Sequence, residues 1–208
     1  MSEVYVHILT CPHCGMKKEV AGHLGENRAT RAVWSDNRVV TSVVPGISFV
    51  QKCPSCGGYY LLSRQKMEAG AGVPEENIEL SYDEMKEAWH LLKECHDLTE
   101  NEKLAMLIMQ VWAFNDKYTR NGETNIPVSE YRYMTGVIDL LLDLDLLDDM
   151  LKAELLRENG RFDEAVELID GFSVESGLFE DFKNMFKEYA LRSDTRPFLI
   201  SRTGVQCC

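Results

Sequence analysis

Two five-residue runs in this chain, Cys11-Pro12-His13-Cys14-Gly15 and Cys53-Pro54-Ser55-Cys56-Gly57, share one pattern. Each sets two thiols three positions apart on a tight turn, and the glycine behind them lets backbone amides turn toward the sulfurs. Together the turns supply four thiolates, the number a tetrahedral zinc takes, with no position left for the water that a catalytic zinc keeps. Cys11, Cys14, Cys53 and Cys56 are therefore expected to hold one Zn2+ in a structural role. A lone Cys-x-x-Cys could be redox-active, but two equivalent turns flanked by strand-like residues are better explained by a metal. His13, between two ligands on a turn, is expected at the surface, and His7 and His23 carry no role.

Other chemistry is sparse. The chain has no Gly-rich phosphate loop, no nucleophile elbow and no His-Glu metal helix. No catalytic residue is assigned, and an enzyme, if this were one, would need a cleft between domains. Cys95 falls on the apolar face of a helix and reads as a buried free thiol; Cys207-Cys208 reads as a flexible tail rather than a prenylation signal. The series Asp139, Asp143, Asp145, Asp148 and Asp149 lacks the Gly-centred loop of a calcium site and reads as a solvated face. Trp112, Phe114 and Tyr118 are expected in a core, with Asn115, Asp116, Tyr131 and Arg132 bordering it.

Composition is that of a globular protein, 45% hydrophobic and 27% charged, with a net charge of −12. Residues 1–66 carry eight Lys/Arg against four Asp/Glu, while the remainder carries 14 against 30. So acidic a second part disfavours a nucleic-acid-binding role for the whole chain, although Lys17, Lys18, Arg28, Arg31 and Arg38 near Trp34 would be the residues to serve one. The densest apolar run, Val137 to Leu147, is broken by three aspartates, so no membrane span is expected. Met1-Ser2-Glu3-Val4 shows no secretory signal, and seven cysteines in such a chain point to metal or free thiols, which makes a cytoplasmic setting the expectation.

The elements that must position the cysteines read as short strands. Val4 to Leu9 leads into the first turn and Lys17 to Val20 returns; Arg31 to Trp34 and Val39 to Val44 flank the turn signal Ser35-Asp36-Asn37; Ile47 to Lys52 and Tyr59 to Leu62 flank the second cysteine turn. A linker with Gly70, Gly72 and Pro74 follows, and then helical periodicity takes over. Ser81-x-x-Glu84 and Thr99-x-x-Glu102 are capping boxes that open the first two helices. Ser129 is expected to cap a third, Asn159-Gly160 to end a fourth, Gly171 a fifth, and Leu191 a sixth. The fold class is thus α+β: an antiparallel zinc ribbon with an inserted hairpin over 1–66, a linker over 67–80, antiparallel helical hairpins over 81–192, and an irregular tail over 193–208 with the apolar patch Pro197-Phe198-Leu199-Ile200.

Gly160, Phe162 and Ala165, in the run from Ala153 to Ala165, make this stretch similar to the turn of a tetratricopeptide repeat, where a helix ends at Gly, an aromatic follows and a small Ala lets the helices approach. The match covers one helix-turn-helix. The order of elements also resembles a group of largely uncharacterised, mainly bacterial proteins that join a Cys-Pro-x-Cys-Gly ribbon to a tetratricopeptide-like helical domain. Trp34-Ser35-Asp36, Trp112-Ala113-Phe114-Asn115-Asp116 and Asp194-Thr195-Arg196-Pro197-Phe198 support it. The repeat-like turn, the closed four-cysteine site and the lack of a catalytic constellation together point to a non-enzymatic interaction or scaffold module that takes a protein or peptide partner on its helices; the resemblance itself brings no catalytic residues.

Overall fold

A computed structural model describes residues 4–23, 30–41, 48–72, 79–95, 97–120, 122, 125–172 and 177–202. The chain is mixed α and β, with small antiparallel sheets toward the N-terminus and six helices after them among the described residues. It divides into two compact units, Met1–Arg31 with Thr41–Met106, and Ala32–Val40 with Leu107–Cys208.

In the first unit β1 (Val4–Thr10) and β2 (Lys17–His23) pair over their full length around the first cysteine turn, His7 opposite Val20 and Thr10 opposite Lys17. β5 (Val50–Lys52) and β6 (Tyr59–Leu61) pair the same way around the second, Lys52 opposite Tyr59. Part of the expected linker is itself a strand, β7 (Glu68–Ala69), which adds to the free edge of β1 and seals it. Leu9, Val20, Val50, Tyr60 and Leu61 are buried here, as are Tyr82, Met85, Ala88, Trp89 and Leu92 of helix α1 (Tyr82–Cys95). Both capping boxes form: Glu84 and Glu102 reach back to the amides of Ser81 and Thr99 at 3.0 Å each. The same carboxylates also hold the ribbon. Lys52 Nζ lies 2.9 Å from Glu84, and Arg64 grips Glu102 through Nε at 2.9 Å and Nη2 at 2.6 Å, with Ser63 Oγ donating to it at 2.9 Å. The Lys52 hydrogen bond pulls the Glu84 carboxyl down to about 2, and the Arg64 hydrogen bonds do the same for Glu102.

α2 (Glu100–Phe114) starts in the first unit and ends in the second, running on into a π-helical turn at Asn115–Thr119. α3 (Val128–Leu142) is preceded by Pro127, not by the expected cap; Ser129 lies exposed in its first turn, and proline serves because the first helical amides need no partner within the helix. α4 (Asp149–Glu158) is capped by Asp148, which accepts from the Leu151 amide at 2.9 Å. It stops where Arg161 donates to the Leu156 carbonyl and Gly160, at φ +75°, to that of Arg157. α5 (Phe162–Asp170) packs back on α4 through Ala153, Leu156, Ala165 and Ile169, joined by Phe182 and Phe186 of α6 (Gly177–Leu191).

The segment after α6 departs from the irregular tail expected. β8 (Leu199–Arg202) pairs antiparallel with β3 (Thr30–Trp34), whose other neighbour is β4 (Val39–Thr41), and Phe198 is buried in the helical core with its ring 4.7 Å from Tyr189 and 5.7 Å from Phe182. Pro197 and Phe198 are buried while Leu199 and Ile200 enter the strand pairing, and the Ser35 amide donates to the Phe198 carbonyl at 2.9 Å. Phe198→Ala is expected to cost about 3–5 kcal/mol, the range for a core aromatic. Urea unfolding of the second unit would read it, and a change below about 1 kcal/mol would return this segment to the status of a tail.

Candidate metal centre and a buried charged cluster

The two cysteine turns are built alike. In each, the glycine amide donates to the carbonyl of the first cysteine at 2.9 Å, and the first cysteine's amide donates onward to the Met16 or Gly58 carbonyl. Gly15 and Gly57 sit at φ +73° and +72°, a left-handed conformation that a side chain would strain. Cys11 and Cys53 are buried with Tyr60 and Met16 against them, and Cys14 and Cys56 are exposed. All four sulfurs lie within 4.8 Å of one another, Cys11 to Cys56 at 3.7 Å and Cys14 to Cys53 at 3.6 Å. The cluster could hold one metal ion. His13 supplies none of it: its Nε2 donates to the Tyr59 carbonyl at 2.9 Å, tying the first turn to the strand that leaves the second.

Four thiols so close cannot all ionise without a cation among them. Burial raises the Cys53 thiol, but the Cys56 and Ser55 amides and the neighbouring sulfurs outweigh it and lower it to about 6. At Cys56 the Gly58 amide works downward, and burial with the adjoining sulfurs prevails, pushing it up to about 12.

The remaining thiols do not join this site among the described residues: Cys207 and Cys208 lie outside them, as does the side chain of Cys95. Of the basic residues that would serve nucleic acid, Lys17 pairs with Glu68 at 3.4 Å in the first unit. Arg38 is in the second, where it pairs with Asp116 at 3.3 Å and lies over the Trp112 ring. Arg28 and the Arg31 side chain fall outside the described residues. The aspartates 139, 143, 145, 148 and 149 are exposed, as expected for a solvated face.

The second unit holds what sequence reading left out. Ser35, Asp36, Asn115, Glu154, Arg157 and Glu158 are all buried. Arg157 is wholly enclosed: Nε and Nη2 bond Glu154 at 2.9 and 2.5 Å, Nη2 donates to the Arg196 carbonyl at 2.9 Å, Nη1 to that of Asp194, and Phe186, Tyr189 and Phe198 ring its guanidinium. Ser35 Oγ donates to Glu154 and accepts the Phe198 amide at 2.9 Å. Arg120 Nη2 pairs with Asp36, and the Trp112 indole donates to the Asp36 carbonyl at 2.8 Å. Asn115, turned inward by the π-helical turn, donates from Nδ2 to both Asp36 and Glu158 at 3.0 Å, while its Oδ1 accepts from Thr119. The three segments noted for a family likeness, 34–36, 112–116 and 194–198, thus meet at one place. The available signal was the Glu154-x-x-Arg157-Glu158 run interleaved with Ala153, Leu155 and Leu156 in the last two turns of α4, a stretch apolar enough to be buried on all sides.

Two guanidiniums here face three carboxyls, and Glu158 is the one without an arginine. Burial lifts its carboxyl well above the usual glutamate value of 4.5, and the Asp36 and Glu154 charges lift it further. The folded state therefore keeps a proton that the unfolded chain has lost above that value, so this group makes stability fall as pH rises until its raised value is passed. Glu158→Gln removes the proton exchange while keeping Asn115's partner. Above pH 4.5, and until the raised value of Glu158 is passed, the variant should gain on the wild type by up to about 1.4 kcal/mol per pH unit, measured as the difference between their unfolding free energies. A difference that stays flat with pH would contradict the assignment.

No helix among the described residues is long and apolar enough to cross a membrane. No protein-family model, curated protein or solved structure matches this chain.

Proposed function

We propose that Cys11, Cys14, Cys53 and Cys56 bind one zinc ion that is structural, and that the protein is a non-enzymatic interaction module whose helical part receives a protein or peptide partner. The carrying observation is the sulfur geometry. With Zn–S bonds of about 2.3 Å, a regular tetrahedron has edges of about 3.8 Å, against 3.6 and 3.7 Å for the two nearest pairs here. Four sulfur ligands leave no open position for a water or substrate, which favours a structural over a catalytic ion. A cytoplasmic setting suits four thiols held as ligands rather than as disulfides. The tetratricopeptide likeness rests on the close α4–α5 pairing at Ala153 and Ala165, and it motivates a peptide-receiving surface.

An enzymatic reading draws on one observation, a cavity in the second unit that gathers Glu158, Asp194, Arg192 and Arg196, without a histidine. The interaction reading stands ahead of it, because no hydroxyl hydrogen-bonds to a base among the described residues lining that cavity.

Bound zinc would contribute folding energy on the order of 10 kcal/mol to the first unit. Stringent chelation, or Cys53→Ser, should therefore abolish the ribbon's cooperative unfolding and release the Lys52–Glu84 and Arg64–Glu102 anchors of α1 and α2, while the second unit retains its own transition. Circular dichroism with near-ultraviolet spectra of Tyr59 and Tyr60 would follow it. A ribbon spectrum indifferent to metal removal would overturn the structural role.

A further inference from the structure

The second unit contains a cavity of about 430 Å³. Its wall is formed by Phe114 and Asn115 at the π-helical turn, Tyr131 and Met134 of α3, Glu158 at the end of α4, and the 192–196 segment. Within it, Glu158 is buried, its Oε2 takes the Asn115 amide, and its Oε1 has no hydrogen-bond partner among the described residues. We propose that this cavity binds an organic cation, an ammonium or guanidinium group, with Glu158 Oε1 as the acceptor that anchors it.

The sign of the ligand follows from the charges around the site. Asp36 is matched by Arg120 and Glu154 by Arg157. Asp116 is shared by Arg120 and Arg38. On the cavity wall Arg196 is held by Asp194 through Nε and Nη2, at 2.9 and 2.6 Å, and Arg192 pairs with Glu188. Among the described residues each of these arginines pairs with another carboxylate, and Glu158 is the acid of the cluster that no arginine hydrogen-bonds, though the Arg157 charge still acts on it. A buried carboxyl in that position either keeps a proton or acquires a cation. An acceptor-bearing neutral ligand would satisfy Oε1 only as long as the proton stays. A cation takes the place of that proton and lets Glu158 ionise without leaving the cluster a net negative charge. The rest of the wall suits the stem of such a group: Phe114 and Tyr131 contribute aromatic surface, and Met134 and Ile138 apolar surface. The π-helical turn aims Asn115 at both Asp36 and Glu158, so the acceptor is positioned before any ligand arrives.

Burial favours the protonated form of Glu158 in the free protein, its carboxyl lying well above the usual glutamate value. Entry of a cation B–H⁺ therefore expels that proton: the O–H bond of Glu158 breaks, its electron pair stays on the carboxylate, and the proton goes to solvent. One proton leaves per cation bound, so affinity should rise about tenfold per pH unit below the raised value of Glu158.

Two sources could carry such a group, a free amine or the Lys/Arg side chain of a partner peptide. The second deepens the interaction reading above and rests on it. The test uses the full chain in calorimetry, with butylamine and agmatine as free cations, acetyl-arginine-amide and acetyl-lysine-amide as side-chain mimics, and butanol and acetyl-citrulline-amide as neutral counterparts. Each titration is run in two buffers of different ionisation enthalpy. The expected result is saturable binding of cations over their neutral counterparts, release of one proton, affinity rising with pH, and at least a tenfold loss in Glu158→Gln. Should that variant fail to fold, proton release and pH dependence in the wild type decide the matter alone. Binding confined to free amines would keep the site and remove its support for a peptide partner. Equal binding of neutral compounds, affinity falling with pH, or no saturation by any cation would overturn the proposal, leaving the zinc assignment untouched.

Discussion

A charge taken out of water must meet a countercharge, and the second unit of this protein is arranged around that constraint. Arg157 is fully enclosed, an expensive position that becomes tenable because Glu154 pairs with it, the Asp194 and Arg196 carbonyls take its remaining protons, and three aromatic rings close over it. Those partners come from α4, α6 and the segment after α6. Satisfying one guanidinium therefore fixes where the end of the described chain runs, and the Ser35 contacts with Glu154 and Phe198 bring β3 to the same point. Burial of a polar network of this kind is strong evidence for a specified arrangement and weak evidence for stability, since an apolar replacement could be equally stable.

The first unit obeys the same rule with different chemistry. Four sulfurs within 4.8 Å of each other form a set that becomes favourable as thiolates only around a cation. Around them the ribbon is tied to the starts of two helices by carboxylates with double duty. Glu84 and Glu102 complete capping boxes and accept Lys52 and Arg64 as well. Because both lie depressed to about 2, their contribution is fully present above the usual glutamate value of 4.5 and fades as pH falls from there through about 2. The second unit has the opposite tendency, through Glu158 and Asp36, both raised by burial.

What could be read from sequence was what is local. A Cys-x-x-Cys-Gly turn, a capping box and a glycine helix stop each declare themselves within five residues, and all of these stand where expected. The cap expected at Ser129 lies two residues earlier, where Pro127 holds the N-cap position and its carbonyl takes the Glu130 and Tyr131 amides. The tail misled because its apolar patch finds its partner strand far upstream; the Phe198–Ser35 bond spans 163 positions. The buried cluster was hardest, since glutamate and arginine on a helix ordinarily face solvent, and the arginine's enclosing partners come from segments a single pass along the chain cannot join.

The account stands most directly on the sulfur cluster, and thiol accounting by native mass spectrometry tests it. The intact chain should carry the mass of one zinc ion, with Cys11, Cys14, Cys53 and Cys56 protected from alkylation until a chelator is added and labelled afterwards. A chain that carries no metal, carries iron instead, or exposes those four cysteines to the reagent at once would contradict it.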